Sequence, residues 1–569
     1  MHCPGRVSIF SQINPFGIPF IQRHAMSSHL VNIAAHLPRM ADLQPDTPAI
    51  IFPRNDIQLS FRELDELSDR IAHGLTAIGI SRGVRTVLMV PPGPEFFALT
   101  FALFKVAAVP VLVDPGLGVK NLKTCLDEAE PQAFIGITKA HLARLLFGWG
   151  KGSIHTLVTV GRRLLWRGAT LSSLIADSDE EPFPPARTGR GETAAILFTS
   201  GSTGPPKGAV YNHGNFAAQV SALRQSYGIR PGEIDLPTFP LFALFAPALG
   251  MTAVIPEMDF TRPGSVNPAI IISTIQQYGA TTMFGSPALI DRVSRYGAQQ
   301  GITLPSLRRV ISAGAPVPAA VMERFSDMLD PETEIFTPYG ATEALPVCSI
   351  GSSEVLAETR HLTEQGRGVC VGLPVAGIDL AIIPISDTPI RHWGDDLALP
   401  DWEVGEITVK GPQVTASYLN RPEATSLAKI PDPSGGFWHR MGDLGYLDGE
   451  GRVWFCGRKA HRVITPMDTL YTIPVEGVFN SHPQVKRSAL VGLGKPGRQQ
   501  PVLCVETETG VSQEEHGRIR RELIALGSKY PHTKSILKIL FHPSFPVDIR
   551  HNAKIFREKL AIWAAEQSR

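Results

Sequence analysis

Residues 194–208 read AAILFTSGSTGPPKG, and this stretch decides the fold of the chain. Its first five residues have the composition of a short buried strand. The ten residues that follow, Thr199 to Gly208, carry four hydroxyl side chains, three glycines and the lysine Lys207. Glycines let a backbone approach a ligand closely, and hydroxyl and ammonium groups donate to phosphate oxygens. The pattern predicts a phosphate-binding loop, with a flexible surface loop as the alternative. The spacing of a Walker A loop is absent.

On the N-terminal side of this loop, short apolar runs alternate with helical patterns. Ser60 and Glu63 predict a capping box, and Leu64, Leu67 and Ile71 then recur at helical spacing. Strands are predicted at 86–90, 111–113, 134–137 and 157–160. Strands that alternate with helices indicate a mostly parallel sheet with helices on both faces. We expect this pattern to continue to about residue 390.

The length of the chain, 569 residues, predicts more than one domain, because single cores stop growing at roughly 250–300 residues. Residues 453–458 are typical of the end of a large domain, and strands near 488–491 and 502–505 with a helix at 513–526 follow. The predicted fold class is α/β, with a large N-terminal domain of mostly parallel sheets covered by helices and a small α/β C-terminal lid domain. The predicted bounds are 1–44 for an N-terminal extension, 45–457 for the large domain and 458–569 for the lid.

Composition excludes several classes of protein. The formal net charge is +1 and no long run of Lys or Arg occurs, so no nucleic-acid partner is expected. Six cysteines without a C-x-x-C pair exclude a disulfide framework and a structural zinc site, and the cytoplasm is the predicted location. Residues 9–21 are apolar but interrupted, so no transmembrane segment is predicted. The extension is expected to lie on the body or on a partner, with contact to a membrane surface as the alternative.

Residues 199–208 resemble the signature loop of the adenylate-forming superfamily, which includes acyl-CoA synthetases, peptide-synthetase adenylation domains and luciferases. Roughly residues 45–565 can be laid onto that superfamily, motif after motif. The resemblance implies that the chain activates a carboxylic acid as its acyl-adenylate, with ATP and Mg²⁺ as cofactors. The ATP and AMP site that it implies comprises Thr199, Ser200, Gly201, Ser202, Thr203, Gly204, Lys207, Gly314, Ala315, Pro316, Tyr339, Gly340, Asp443 and Arg458.

The same resemblance implies a role for each motif. In the motif of residues 339–343, YGATE, Tyr339 would stack on adenine, Thr342 would contact the α-phosphate and Glu343 would be the ligand of Mg²⁺. A planar ring suits a base, and a carboxylate is a hard oxygen ligand that suits magnesium. Asp443 would accept hydrogen bonds from both ribose hydroxyls, and Arg458 would contact ribose and phosphate.

The catalytic residues implied by the resemblance are Lys554, Glu343 and Thr342. Lys554 lies in PVDIRHNAKIFR, residues 546–557, where Ala553 replaces the glycine that is usual in the superfamily. Its charge would bridge the carboxylate and the α-phosphate and stabilise the transition state. The alternative is an exposed lysine on a terminal helix.

Two departures from the superfamily pattern bear on the reaction that follows adenylation. Ala460 stands where the superfamily usually has Asp or Lys as the hinge of the lid. Residues 463–471, VITPMDTLY, lack the glycine of the loop that coenzyme A ligases carry after the hinge, and they contain Pro466. Proline fixes φ and lacks a backbone donor, so a thiolation step is expected to be impaired.

An acyl-adenylate can also be consumed by a nucleophile within the acid itself. A β-hydroxyl held near the activated carbonyl can attack it and expel AMP, which closes a β-lactone. As a whole the chain resembles the β-lactone synthetases of bacterial long-chain olefin biosynthesis, which implies a 2-alkyl-3-hydroxy fatty acid as substrate and assembly with other enzymes of that pathway. A fatty acyl-AMP ligase or acyl-CoA synthetase is the first alternative, and a catalytically silent nucleotide-binding scaffold is the second.

The apolar stretch from 239 to 255 predicts the acyl pocket, because acyl sites need an apolar lining. Its predicted lining residues are Phe242, Ala243, Phe245, Ala248 and Gly250, with Ala243 leaving space where many relatives have an aromatic or histidine gate. A plain buried core is the alternative. His213 is the candidate general base for the β-hydroxyl, with packing or capping as its alternative role.

Overall fold

The protein is described by a computed structural model over residues 31–199, 205–547 and 555–568. The strands in these residues are β1 (Pro48–Phe52), β2 (Ile57–Ser60), β3 (Arg85–Met89), β4 (Val109–Leu112), β5 (Ala133–Ile137), β6 (Thr156–Val160), β7 (Ala169–Thr170), β8 (Thr193–Phe198), β9 (Gly208–Asn212), β10 (Ile234–Pro237), β11 (Thr252–Val254), β12 (Thr282–Phe284), β13 (Arg309–Ile311), β14 (Glu334–Ala341), β15 (Ala344–Ile350), β16 (Val369–Pro374), β17 (Asp379–Ile383), β18 (Gly405–Lys410), β19 (Ser417–Tyr418), β20 (Lys429–Pro431), β21 (Phe437–Leu447), β22 (Val453–Arg458), β23 (Val463–Ile464), β24 (Thr469–Leu470), β25 (Val485–Leu493), β26 (Gln500–Thr507) and β27 (Ile539–Phe541).

The α-helices of the same residues are α1 (His36–Leu43), α2 (Phe61–Ala77), α3 (Pro94–Lys105), α4 (Val119–Ala129), α5 (Thr138–Phe147), α6 (Leu171–Ala176), α7 (His213–Tyr227), α8 (Pro240–Ala243), α9 (Phe245–Leu249), α10 (Pro268–Tyr278), α11 (Pro287–Gln300), α12 (Ala319–Ser326), α13 (Ser352–Glu354), α14 (Arg360–Glu364), α15 (Pro422–Ala428), α16 (Thr472–Asn480), α17 (His516–Gly527) and α18 (Arg557–Glu566). A π-helical turn, Val355–Thr359, joins α13 to α14.

Two large sheets form the body of the protein. One has the strand order β19-β9-β8-β4-β3-β5-β6-β7, and its pairs from β8 to β7 are parallel. The four strands predicted before residue 161 all lie in this sheet, where strands buried on both faces read as apolar runs. The predicted capping box also forms, because Glu63 N donates to Ser60 Oγ at 3.2 Å and Ser60 N donates to Glu63 Oε2 at 2.7 Å. The predicted α/β fold class is confirmed.

The second large sheet has fourteen strands and changes from parallel to antiparallel pairing along its length. The pairs from β11 through β10, β12 and β13 to β14 are parallel, whereas β14 pairs antiparallel with β15 and the strands that follow also pair antiparallel. The parallel region therefore ends near residue 341, earlier than the predicted 390. Only Thr342 and Glu343 separate β14 from β15, and a two-residue link can join only antiparallel strands.

Residues 31–43 pack on the body and do not form a separate unit. Ile33, Leu37 and Met40 are buried in the same core as α2 and α3. The Asn32 amide donates to the carbonyls of Phe104 and Ala186, both at 2.9 Å. Residues 1–30 of the predicted extension lie outside the described residues.

The C-terminal part has its own small sheet, β25-β26-β27, packed against α16, α17 and α18. Its two apolar cores draw only on residues between 463 and 564. The predicted boundary between 457 and 458 falls inside β22, and the domain bounds stay a prediction. None of the helices in the described part of the chain has the length and apolar character that crossing a bilayer requires.

Candidate active site

One cavity of about 1570 Å³ collects the ends of strands from both large sheets. Ile137, Phe198 and Thr238 line it at or just after the carboxyl ends of parallel strands β5, β8 and β10. In open α/β sheets, ligands bind in the crevice outside the carboxyl ends of the strands. His461, Glu476 and residues 555–557 of the C-terminal part close the cavity from the other side.

The predicted phosphate loop begins and ends at this cavity. Thr199 N donates to the Lys207 carbonyl at 2.9 Å, and Lys207 N donates to Thr199 Oγ1 at 3.1 Å. These two bonds continue the β8–β9 ladder and hold the ends of the loop together, and both residues line the cavity. Ser200, Gly201, Ser202, Thr203 and Gly204 lie outside the described residues.

The predicted adenine turn follows β13 directly. Gly314, Ala315 and Pro316 all line the cavity. Gly314 has φ of 97°, a left-handed conformation that glycine adopts at no steric cost. The turn therefore presents backbone, with little side chain, to a planar ligand.

Tyr339 to Glu343 lie in the β14–β15 hairpin, which brings Thr342 and Glu343 to its tip. Gly340 has no room for a side chain, because a Cβ there would lie 2.6 Å from the Ala344 carbonyl oxygen. The Tyr211 hydroxyl donates to the Thr342 carbonyl at 2.5 Å. This hydrogen bond holds the tip of the hairpin in place, and Thr342 and Glu343 line the cavity.

Glu343 has a partner that sequence analysis missed. The Tyr418 hydroxyl donates to Glu343 Oε1 at 2.5 Å, and Thr415 N donates to the Glu343 carbonyl at 2.8 Å. Behind them, the buried Lys429 ammonium donates to the Thr415 carbonyl. Burial lowers the pKa of Lys429 to about 7, although the charge of Glu343 opposes this shift. The carboxylate is therefore held in one orientation at the cavity wall.

Asp443, Arg458 and Tyr339 form one hydrogen-bonded group. Asp443 and Arg458 are directly opposite each other on β21 and β22, and Arg458 Nη1 lies 3.0 Å from Asp443 Oδ1. The Tyr339 hydroxyl donates to Asp443 Oδ2 at 2.7 Å. Burial, together with the charge of Asp443, raises the pKa of Tyr339 well above its ordinary value, so it stays a neutral donor. The structure thus brings together three residues that sequence analysis assigned to adenine, ribose and phosphate.

The apolar end of the cavity contains part of the predicted acyl pocket. Phe242, Phe245 and Ala248 line it, and the Phe242 ring stacks on Phe284 with centroids 4.3 Å apart. Further aromatic side chains that sequence analysis missed line the same end, namely Phe101, Phe104, Phe216 and Phe239.

Two of the predicted lining residues lie elsewhere. Ala243 is buried in the core behind the wall, so it leaves no space in the cavity. Gly250 ends α9 with φ of 84°, facing Met40 and Pro231. The alternative of a plain buried core applies to these two positions, whereas the aromatic side chains form the wall.

The chain is similar to known proteins over most of its length. Residues 37–419 match the family model described as AMP-binding enzyme. The chain belongs to this family. It is 52% identical over 551 residues to the olefin beta-lactone synthetase of Xanthomonas campestris pv. campestris, which covers 95% of this chain and 98% of that protein. It is 51% identical over 551 residues to the enzyme of the same name from Stenotrophomonas maltophilia, with 94% and 98% covered. Within the AMP-binding family it therefore belongs with the olefin β-lactone synthetases, and the predicted resemblance is confirmed.

Two solved structures share the fold. The amide bond synthetase McbA from Marinactinospora thermotolerans superimposes with a TM-score of 0.77 at 22% identity, covering 94% of this chain and 99% of that one. The anthranilate CoA ligase AuaEII, solved with anthranoyl-AMP, superimposes with a TM-score of 0.78 at 19% identity over 95% and 99% of the two chains. At these identities the likeness establishes the fold alone.

Lys554 of this AMP-binding enzyme lies outside the described residues. The chain resumes at Ile555, which lines the cavity with Phe556 and Arg557. Arg557 Nη2 lies 2.6 Å from Glu476 Oε2, and this buried pair ties the start of α18 to α16. The catalytic role of Lys554 stays a prediction.

His213, the candidate base, does not line the cavity. It is fully buried at the start of α7, where its Nδ1 accepts a hydrogen bond from Ile33 N at 3.3 Å. Burial lowers its pKa to about 4. A ring in this position packs residues 31–43 onto the body, so the packing alternative describes His213.

Ala460 occupies the hinge position, between two residues that bind the large N-terminal part of the chain. Lys459 Nζ donates to the Ser386 carbonyl at 2.6 Å and lies 3.0 Å from Glu406 Oε1. Arg462 Nη2 lies 2.6 Å from Asp387 Oδ2. These contacts supply anchors on both sides of Ala460, which itself has no charge.

The segment after the hinge that contains Pro466 forms a small hairpin. Strands β23 and β24 pair antiparallel, and Thr465 Oγ1 accepts from Met467 N and Asp468 N. Met467 lies exposed at the tip. The turn is thus closed by its own hydrogen bonds.

Proposed function

We propose that this AMP-binding enzyme activates a 2-alkyl-3-hydroxy fatty acid with ATP and closes it to a β-lactone, releasing AMP and diphosphate in long-chain olefin biosynthesis. The observation that carries the proposal is that one cavity is lined both by the residues assigned to the nucleotide and by an aromatic wall. Two relatives that are more than 50% identical, both named olefin beta-lactone synthetase, point to the same product.

In the first step a carboxylate oxygen attacks the α-phosphorus of ATP, forming the acyl–phosphate bond and releasing diphosphate. Asp443 and Arg458 would hold the ribose, and the turn at Gly314 with Tyr339 would hold the adenine. Lys207, whose ammonium lies 5.0 Å above the Tyr418 ring, would meet the phosphates. Lys554 would stabilise the charge that develops at the α-phosphate, as a positioned donor does for an oxyanion.

The residues at the hairpin tip fit a magnesium ion that arrives with ATP. In the residues that the structure describes, no cluster of three His, Cys, Asp or Glu could hold a metal alone. Mg²⁺ is usually held by one or two carboxylates together with substrate phosphates, so Glu343 would supply the protein ligand. Bound there, the ion would neutralise phosphate charge. Tyr418 would keep Glu343 turned to it.

In the second step the β-hydroxyl oxygen attacks the acyl carbonyl, the carbonyl–AMP bond breaks and the hydroxyl proton is released. Closing the four-membered ring requires the hydroxyl and the carbonyl to be held together, which is a task of positioning. The wall of Phe242, Phe245 and Phe284 would hold the two alkyl branches and exclude water from the adenylate.

A thioester-forming acyl-CoA synthetase or an acyl-AMP ligase is the second candidate. Relatives that carry out coenzyme A ligation cover most of the chain at lower identity, such as the feruloyl-CoA synthase of Amycolatopsis sp., which is 28% identical over 464 residues. The closed hairpin around Pro466 favours the lactone over a thioester, because it lacks the glycine that thiol access would use.

The test uses the protein with Mg·ATP and a 2-alkyl-3-hydroxy fatty acid, without coenzyme A, followed by proton NMR of the organic extract. Ring protons of a β-lactone with an equal amount of AMP are expected, and Glu343→Gln should lose both products. AMP and a thioester that appear only when coenzyme A is added would contradict the lactone and leave adenylation standing.

We further propose that the protein hands its lipophilic product to other enzymes of the pathway within an assembly. The support is chemical, since a reactive, water-insoluble lactone needs protection from hydrolysis. Native mass spectrometry of the enzymes together should detect a complex, and a monomer that never associates would count against it. The cytoplasmic location stays a prediction.

A further inference from the structure

An apolar surface lies on the outside of α5 and the loop that follows β6. Leu142, Leu145 and Leu146 of α5 and Leu164 and Leu165 of the loop are exposed, and we name these five residues the leucine face. Leu146 is 77% exposed and Leu165 is fully exposed. Single exposed leucines are normal on a protein, but a contiguous group marks a surface that contacts something apolar.

Two contacts show that the helix and the loop form one surface. The Thr138 hydroxyl donates to the Arg162 carbonyl at 2.5 Å, and the rings of His141 and Trp166 stack with centroids 5.0 Å apart. Trp166 is buried by this stacking, which leaves its neighbour Leu165 on the outside. Spacing of three and four residues places the α5 leucines on one side of the helix.

The segment that carries this surface has charged side chains of one sign only. Residues 131–176 contain six Lys or Arg and no Asp or Glu. Arg162, Arg163 and Arg167 flank Leu164 and Leu165 in the sequence and are exposed. Within the described residues, none of these three arginines forms an ion pair with a carboxylate of the protein. Arg163 donates to the Gly168 carbonyl, which is a neutral acceptor, so no carboxylate of the described residues neutralises the three charges.

Another side of α5 borders the cavity. Lys139, Ala140 and Ala143 line it, together with Trp149 just beyond the helix. One helix thus separates the leucine face from the site. Under the proposed function the substrate carries long alkyl groups and resides in lipid. A cavity that is separated from the lipid surface by one helix shortens the path of the substrate from the lipid to the site. That route depends on the proposed function, whereas the docking described next does not.

We infer that the leucine face docks on the surface of an anionic lipid bilayer. The leucines enter the boundary between headgroups and acyl chains, and the arginines meet the lipid phosphates. Segments that lie in a membrane interface combine these two features, an apolar side and a basic rim. The chemistry favours lipid over a protein partner, because aliphatic side chains with cations and without a carboxylate match anionic headgroups.

The test measures binding of the full chain to vesicles by sedimentation. Vesicles of equal parts phosphatidylglycerol and phosphatidylcholine are compared with vesicles of phosphatidylcholine alone. The wild type should bind the anionic vesicles, and Leu146→Glu with Leu165→Glu should weaken binding at least about tenfold, because each leucine loses its apolar burial. Arg162→Ser and Arg163→Ser should each weaken binding roughly fivefold, which corresponds to about 1 kcal/mol per cation near an anionic surface.

The matched control carries Leu537→Glu and Ile562→Glu, two side chains that are each 64% exposed on the C-terminal part. It should bind vesicles as the wild type does, and all variants should keep the wild-type melting temperature. Turnover of detergent-dispersed acid should be unchanged in the leucine-face variant, which separates a failure of docking from a failure of the proposed function.

Three results would overturn the inference. The wild type could fail to bind anionic vesicles. The leucine-face variant could bind as well as the wild type, which would assign the binding to another segment such as residues 1–30. The wild type could instead self-associate in analytical ultracentrifugation and the leucine-face variant become monomeric, which would make the surface a protein interface.

Discussion

Tyr418→Phe is the change that tests the hairpin site most directly. It removes one oxygen and keeps the ring, so the contact of the Lys207 ammonium with that ring survives. What is lost is the 2.5 Å hydrogen bond from the hydroxyl to Glu343 Oε1. The Glu343 carbonyl keeps its bond from Thr415, so the backbone of the hairpin should not move.

The size of the effect follows from the kind of bond. A hydrogen bond to a charged group contributes about 1.5–3 kcal/mol, against about 0.5–1.5 kcal/mol for a neutral pair. If this energy acts in holding Glu343 toward the metal–ATP complex, kcat/KM for adenylation should fall about 10-fold to 150-fold, at about 1.4 kcal/mol per factor of ten. Excess Mg²⁺ should restore part of the rate, because the loss lies in ion binding.

The assay is release of diphosphate at several Mg²⁺ concentrations, with ATP and a 2-alkyl-3-hydroxy fatty acid. Tyr227→Phe is the matched control, because its hydroxyl lies 3.3 Å from Ser349 Oγ, a neutral partner, and Tyr227 does not line the cavity. It should leave the Mg²⁺ dependence unchanged. A Tyr418→Phe enzyme with the wild-type rate and the wild-type Mg²⁺ dependence would refute the role of Tyr418 and weaken that of Glu343.

Three further predictions follow from the same structure. Asp443→Asn should raise KM for ATP roughly tenfold to a hundredfold, because an amide has no charge and only one oxygen to accept hydrogen bonds from the two ribose hydroxyls. Steady-state kinetics checks this, and an unchanged KM would contradict the ribose assignment. The pKa of His213 is about 4 in the folded protein, below its unfolded value, so the free energy of unfolding should decrease as pH falls from about 6.5 toward 4. For this one proton the decrease is at most about 1.4 kcal/mol per pH unit. In chemical denaturation at several pH values, His213→Gln should show a smaller dependence on pH. Asp387→Ala should remove the ion pair with Arg462 and cost less than about 1 kcal/mol of stability. It should nevertheless make the hinge segment several-fold more sensitive to proteolysis. Sensitivity equal to that of the wild type would show that Asp387 does not anchor the lid.

The features that the sequence predicted correctly are those that near neighbours determine. The capping box at Ser60 and the strand that precedes Thr199 depend on residues a few positions apart. The order of pairing in the second sheet depends on partners that are distant in the sequence. The change to antiparallel pairing therefore occurs earlier in the chain than predicted. The two-residue link at Thr342 and Glu343 that forces the hairpin becomes visible only once both strand ends are known.

The site was predicted where a motif names its residues and missed where only the fold joins them. Tyr418 lies 75 residues from Glu343, and nothing between them suggests a contact. In the acyl pocket, composition could not say which side of α8 and α9 faces inward. The spacing of Phe242, Phe245 and Ala248, three residues apart each time, is that of one helical side and could have excluded Ala243.

A nucleotide with several charges requires polar surroundings, whereas a lipid with long alkyl groups requires apolar ones. The two sheets explain how one cavity can bind both. The carboxyl ends of parallel strands bring backbone donors and polar turns to one edge, where Thr199 and Gly314 lie. The helices that cover those sheets are apolar on their inner sides, so the same edge continues into a wall that includes Phe242 and Phe284. The reacting carboxyl group must lie where the two environments meet. Shutting water out at that junction protects the adenylate from hydrolysis, so that an internal hydroxyl can reach the carbonyl first.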